Sequence, residues 1–126
     1  MDKVNMKSKV ALVKCDSYEQ EKVDEAVRKA VELLGGLEGI DIEKESRIVI
    51  KPNLLAKNPP EKACTTHPAV FEAVGKLFLK EGYTNLKYGD SPGNPVAKPE
   101  KIAAECGLKE VADKLGIPFG NFEEGV

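Results

Sequence analysis

The sequence predicts an α/β fold with a mostly parallel sheet and helices on its faces, a Rossmann-like arrangement of three layers. Two observations support this prediction. Short apolar runs bounded by charged residues alternate along the chain with segments whose apolar residues recur every three or four positions. Glycines and prolines mark the changes from one pattern to the next. Such alternation implies right-handed crossovers, which place successive strands parallel to one another in the sheet.

The first half of the chain contains two predicted strands with a helix between them. The apolar run at 9–14 lies between lysines and predicts the first strand. Ser17 and Gln20 have the spacing of a capping box and predict the start of the helix. Gly35 predicts its end, because glycine adopts positive φ at low cost. The apolar run at 47–51 predicts the second strand.

The second half of the chain continues the alternation. The predicted elements are a helix from Pro68 that ends before Gly82, a strand at 85–89, two short helices at 99–106 and 108–115, and an edge strand at 117–119. Pro118 has no N–H to donate, which would confine the last strand to an edge. The sequence leaves open whether this last segment pairs in the sheet.

Length and composition predict a single α/β domain over residues 1–126, and we expect it to be a partial domain, the N-terminal fragment of a longer protein. The formal net charge is −2, and neither half of the chain is basic, which argues against a nucleic-acid partner. We find no apolar run long enough to span a bilayer and no secretory signal, so we expect a cytoplasmic protein without a membrane partner.

The three cysteines give no sign of a disulfide framework or of a metal site. Cys15, Cys64 and Cys106 are odd in number and far apart in sequence, and three thiols cannot supply a four-cysteine cluster. Cys64 and His67 have a ligand-like spacing, but two ligands do not make a metal site, and only Asp90 could add a third. We therefore predict no metal site within this chain.

The candidate functional residues follow the predicted strands, where ligands bind in open α/β sheets. Lys51 and Asn53 follow the second strand, and a long loop then leads to a helix start that carries a partial positive charge. The residues expected to lie there are Thr65, Thr66 and His67, the only histidine of the chain, and the third strand is followed by Asp90, Ser91 and Gly93. If the two strands are neighbours, all these residues lie at one edge of the sheet.

The motifs Lys-Pro-Asn-Leu-Leu at 51–55, Thr-Thr-His-Pro at 65–68 and Gly-Asp-Ser-Pro-Gly at 89–93 resemble the N-terminal part of the family called domain of unknown function 362. The run Val-Ala-Leu-Val-Lys at 10–14 adds to the resemblance. In that family, a ferredoxin-like segment that binds 4Fe–4S clusters often follows. The resemblance implies a redox-associated protein whose cluster, if it has one, lies outside this chain, and which has a ferredoxin-like domain or a separate ferredoxin as its partner.

The first functional hypothesis is that the domain binds an anionic small molecule or cofactor. Lys51 would pair with the anion, Asn53 and Thr66 would donate hydrogen bonds to it, His67 would transfer a proton, and Asp90 would orient the ligand or bind a metal ion. Two alternatives remain open. In the first, the domain is a noncatalytic scaffold that docks a partner. In the second, the domain contributes to a metal site that residues outside this chain complete.

Overall fold

The computed structural model describes residues 7–92 and 98–122 of the 126-residue chain. These residues form four α-helices and a two-stranded parallel sheet. In chain order the elements are α1 (Gln20–Leu33), β1 (Ile48–Ile50), α2 (Pro68–Lys80), β2 (Leu86–Tyr88), α3 (Pro99–Glu105) and α4 (Leu108–Leu115), with 3₁₀ turns at Leu37–Gly39 and Pro60–Lys62. The predicted α/β class is confirmed.

Local sequence signals set several of the helix boundaries. Pro68 occupies the first turn of α2, where its missing N–H has no intrahelical partner to lose. Gly107 separates α3 from α4 with φ of 87°, a conformation that costs glycine little and other residues more. These boundaries agree with the sequence predictions because both signals act within a few residues.

The prediction of a first strand at 9–14 is wrong for this structure. The segment has no regular secondary structure, and the side chains of Val10 and Leu12 are 88% and 94% exposed. An apolar run becomes a strand only when a neighbouring strand completes its hydrogen bonds, and the described residues supply none.

The capping box predicted at the start of α1 does not form. The hydroxyl of Ser17 accepts a hydrogen bond from the N–H of Glu19 at 3.0 Å, which is a local turn rather than a cap. Glu19 is the N-cap residue, and its side chain makes no capping hydrogen bond. The side chain of Gln20 donates instead to the carbonyl of Ala69, 2.9 Å away, and so ties α1 to α2.

The two strands bury one face of the sheet and expose the other. Ile48 pairs with Leu86 in register, and their side chains face the core together with Tyr88. Val49 pairs with Lys87, and both side chains are exposed. The helices therefore leave this second face open at these positions, and the predicted Rossmann-like three-layer arrangement is not confirmed.

The last predicted strand is reduced to a single parallel bridge. Phe119 bridges to Tyr88, whose N–H donates to the carbonyl of Pro118 at 3.1 Å. The N–H of Gly120 donates to the carbonyl of Tyr88 at 2.8 Å. The segment therefore lies on the opposite side of β2 from β1, in the edge position that its proline predicts.

The core fills the space between the buried face of the sheet and the helices. Its buried residues are Leu37, Leu54, Phe71, Tyr83, Leu86, Tyr88, Ile102, Ala103, Cys106, Leu108, Ala112 and Ile117. Ion pairs also join the helices to one another. Lys76 of α2 lies 2.6 Å from Asp24 of α1, and Lys114 of α4 pairs with the buried Glu72 of α2.

Candidate functional site

An ion pair joins the carboxyl ends of the two parallel strands. Lys51 directly follows β1, and its Nζ lies 2.6 Å from Oδ1 of Asp90, which lies just beyond β2. The lysine side chain is 62% exposed, whereas that of the aspartate is only 5% exposed. The structure therefore brings together two of the predicted site residues at one edge of the sheet.

The carboxylate of Asp90 is held from more than one direction. Its Oδ2 accepts a hydrogen bond from the N–H of Leu54 at 2.9 Å. Burial by itself would raise the pKa of Asp90, but the close contact with the ammonium group of Lys51, the N–H groups of Leu54 and Ser91, and the charge of Lys51 outweigh it. The pKa therefore lies below its ordinary value, and the carboxylate is charged at neutral pH.

The long loop after β1 is closed at its two ends by a pair of hydrogen bonds. The N–H of Asn53 donates to the hydroxyl of Thr66 at 2.8 Å, and the N–H of Thr66 donates to the carbonyl of Asn53 at 3.0 Å. The side-chain amide of Asn53 donates to the carbonyl of Cys64 at 3.2 Å. This reciprocal clamp fixes the start of α2 beside the end of β1.

His67 caps α2. Its Nδ1 accepts a hydrogen bond from the N–H of Ala69 at 3.1 Å, and its ring stacks on that of Tyr18 with centroids 3.7 Å apart and planes 5° apart. Because Nδ1 is the acceptor, the proton of the neutral ring sits on Nε2. The imidazole therefore has a structural role and one N–H that remains a potential donor.

Three further residues were predicted to belong to the site: Thr65, Ser91 and Gly93. Thr65 is half-buried beside the clamp, and Ser91 is exposed beyond β2, with its backbone N–H directed to Asp90. Gly93 lies outside the described residues. Their predicted role in ligand binding stays a prediction.

Close backbone packing explains why residue 89, which precedes Asp90 in this motif, is a glycine. A Cβ atom at this position would lie 2.6 Å from the backbone carbonyl oxygen of Gly120. The segment at 118–120 can pair with β2 at this distance only if residue 89 lacks a side chain. The glycine thus serves the sheet and positions Asp90 indirectly.

Two residues of this region were not predicted from the sequence. Leu54 is completely buried and directs its N–H to Asp90, although it lies in a loop. Tyr18 covers the ring of His67 from a segment before α1. The two adjacent leucines of its motif are a sequence signal for the burial of Leu54. The stacking of Tyr18 depends on tertiary contacts that the sequence does not reveal.

The described residues do not fit an iron–sulfur cluster. Cys15 is exposed, Cys64 is half-buried in the loop and Cys106 is buried in the core. In the part of the chain that the structure describes, no three histidine, cysteine or acidic side chains come close enough to hold a metal ion. No chemistry of a cluster is therefore assigned to these residues.

One cavity lies away from the strand ends. It is a half-open groove of about 550 Å³ between residues 11–18 and the apolar face of α1, with Val70 of α2 at its wall. None of the predicted site residues lines it. The ion pair at the strand ends is thus a surface site, separate from this groove.

The fold and the site define a small α/β protein in which a lysine–aspartate pair bridges two parallel strands beside a capped helix. The chain belongs to the family described as domain of unknown function (DUF362), whose model matches residues 48–126. The match begins at the first residue of β1 and includes the motifs that carry Lys51, His67 and Asp90. This confirms the family predicted from the sequence.

A longer protein is similar to nearly the whole chain. A thylakoid-associated protein of Synechocystis sp. is 33% identical over 120 residues, which cover 95% of this chain and 36% of the relative. The chain thus spans about a third of the length of that relative. No solved structure matches the chain. None of the described helices has the length and apolar composition needed to cross a membrane.

Proposed function

We propose that this domain binds an anionic small molecule or cofactor at the carboxyl ends of β1 and β2. The observation that carries the proposal is the position of the Lys51 ammonium group, which the buried carboxylate of Asp90 fixes at the exposed edge of the sheet. A cation fixed in this way needs little further ordering when a ligand arrives, and this reduces the entropy cost of binding.

The ion pair leaves hydrogen-bonding capacity for a ligand. An ammonium group has three donors, and Oδ1 of Asp90 lies within reach of one of them. Because Lys51 is largely exposed, the remaining N–H groups can reach a phosphate or carboxylate in solvent. Asp90 thus acts in this proposal as a positioning residue for Lys51.

The start of α2 adds a second source of attraction. The clamp between Asn53 and Thr66 holds this helix terminus beside the strand end, and the helix terminus carries partial positive charge. The Nε2–H of His67 supplies a donor next to it. In the proposal this group donates a hydrogen bond to the ligand. Proton transfer by His67 requires the ring to give up its cap on Ala69, because the capped neutral ring cannot release its Nε2 proton without becoming an imidazolate.

The redox part of the proposal rests on the family resemblance alone. It assigns the domain to an iron–sulfur-associated protein of the cytoplasm, with a ferredoxin-like domain or a separate ferredoxin as partner. Since the described thiols do not converge, any cluster would belong to that partner polypeptide. The ligand-binding part can be tested without it.

The test is a titration of the ¹⁵N-labelled chain with inorganic phosphate, pyrophosphate and citrate, followed by amide chemical shifts. We expect at least one of these anions to shift the amides of residues 51–54, 64–67 and 90–91, and Lys51→Met to abolish these shifts. Lys109→Met is the matched control, because Lys109 is also partly exposed and lies 2.8 Å from an aspartate, Asp113. Absence of shifts with all three anions, or equal shifts in Lys51→Met, would refute the proposal.

A further inference from the structure

Residues 9–14 have the sequence of a strand and the exposure pattern of a strand, yet they lack a partner in the described structure. Val10 and Leu12 are almost fully exposed, whereas Ala11 and Val13 are half-buried. Exposure that alternates with a period of two is the signature of an extended chain with two faces. Single apolar side chains are common on protein surfaces. A run of four apolar residues beside an apolar groove is uncommon.

The inner face of this segment opens onto a groove of about 550 Å³. Ala11, Leu12 and Val13 line it on one side, and the apolar face of α1 lines it on the other. Of the residues of α1, Val23 alone is fully buried. The residues of that face that line the groove are Val23, Ala26, Val27 and Ala30. The apolar face of α1 is therefore only partly covered by the rest of the chain.

We propose that residues 9–14 and this groove form a docking surface for a β-strand of another polypeptide, which adds to the segment through main-chain hydrogen bonds. The occupant is an apolar strand flanked by acidic residues, homologous to the region of the Synechocystis relative outside the matched segment. That relative aligns with 95% of this chain, yet the alignment covers only 36% of its own length. We place the partner strand in this unmatched length of the relative.

Charge favours this occupant over a second copy of the chain. Lys9 and Lys14 flank the apolar residues of the segment. Antiparallel pairing of two copies would bring the Lys9 end of one beside the Lys14 end of the other, so that lysines meet at both ends of the pair. Like charges that face each other across strands are destabilising, whereas acidic residues at these places are stabilising.

The test uses overlapping synthetic peptides that cover the unmatched region of the relative. A short peptide can add to an edge as a strand without the rest of its own protein. The full chain is labelled and its affinity for each peptide is measured. We expect binding to a small set of peptides with alternating apolar residues and acidic flanks. We expect Leu12→Lys to weaken this binding about tenfold or more, because it removes an apolar contact and adds like charge. Leu55→Lys is the control, since Leu55 is an exposed leucine at the site edge, away from the groove.

Hydrogen exchange identifies the mode of binding. In the complex, alternate amides of residues 9–14 should become protected, and Val13→Pro should abolish binding because proline lacks the N–H that a strand partner requires. The proposal is overturned if no peptide binds, if peptides with basic flanks bind equally well, or if Leu12→Lys binds as the wild type does. It is also overturned if the chain alone forms a dimer with the same amides protected.

Discussion

Oδ1 of Asp90 lies 2.6 Å from Nζ of Lys51, so that a buried carboxylate at the end of one strand holds an exposed ammonium group at the end of its neighbour. The carboxylate also accepts the N–H of Leu54, a fully buried residue of the loop that follows β1. One side chain therefore links two strand ends to the loop that leads to α2. Its removal should affect stability as well as any function of the site.

The energy of this pair can be measured with a double-mutant cycle. We expect Asp90→Asn to lower the free energy of unfolding by about 1–3 kcal/mol, because a charged hydrogen-bond network loses its buried acceptor charge. Lys51→Met should lower it by about 1 kcal/mol, because Asp90 keeps its N–H donors. The coupling energy between the two substitutions, obtained from urea denaturation, should exceed about 0.5 kcal/mol.

The pair of Lys109 and Asp113 provides the reference for this cycle. The two residues lie four positions apart on α4, both partly exposed, with 2.8 Å between Nζ and Oδ2. Exposed helix pairs of this kind contribute about 0.3–0.5 kcal/mol. Equal coupling energies for the two pairs would show that the burial of Asp90 adds nothing.

The contribution of Asp90 should disappear in acid. Its pKa in the folded chain lies below the ordinary value of 3.8, so the folded state binds the proton less readily than the unfolded state. The stabilisation is thus complete above that ordinary value and is lost as the pH falls through the folded pKa. We expect the difference in unfolding free energy between wild type and Asp90→Asn to shrink when urea denaturation is repeated at increasingly acidic pH below 3.8. A difference that is independent of pH would contradict this.

The glycine before Asp90 should not tolerate a methyl group. In Gly89→Ala the new Cβ would lie 2.6 Å from the carbonyl oxygen of Gly120, and backbone cannot move aside as a side chain can. We expect a loss of about 1–3 kcal/mol, measured by thermal unfolding. Gly39→Ala is the control, because the nearest atom to its Cβ is 3.7 Å away, an ordinary contact. If both variants unfold at the same temperature, the close approach at residue 89 is incorrect.

Variants of His67 separate capping from ligand binding. We expect His67→Ala to destabilise the chain by about 1 kcal/mol through loss of the N-cap. His67→Asn should recover most of this loss, because asparagine is a good N-cap residue, but it should lose the stacking on Tyr18. The free energies come from urea denaturation. If the ring also binds the ligand, the folded His67→Asn variant will show weaker anion-induced amide shifts than wild type.

The sequence by itself determined most of the helices and the parallel direction of the strands. It also placed Lys51 and Asp90 at one edge on the condition that their two strands are neighbours, which the structure supplies. These features follow from signals that act over a few residues, such as apolar periodicity, prolines and glycines at helix ends. The proximity of the two strand ends then follows from topology, since consecutive parallel strands end on the same side of a sheet.

The tertiary structure decided the features that depend on distant partners. Residues 9–14 have the composition of a strand, but a strand needs a neighbour, and the described chain gives them none. The sequence offered His67 as a catalytic candidate, whereas its cap on Ala69 and its stack on Tyr18 depend on how the segment before α1 crosses the start of α2. Composition is a local property, but hydrogen-bond partners and burial are set by the packing of the whole chain.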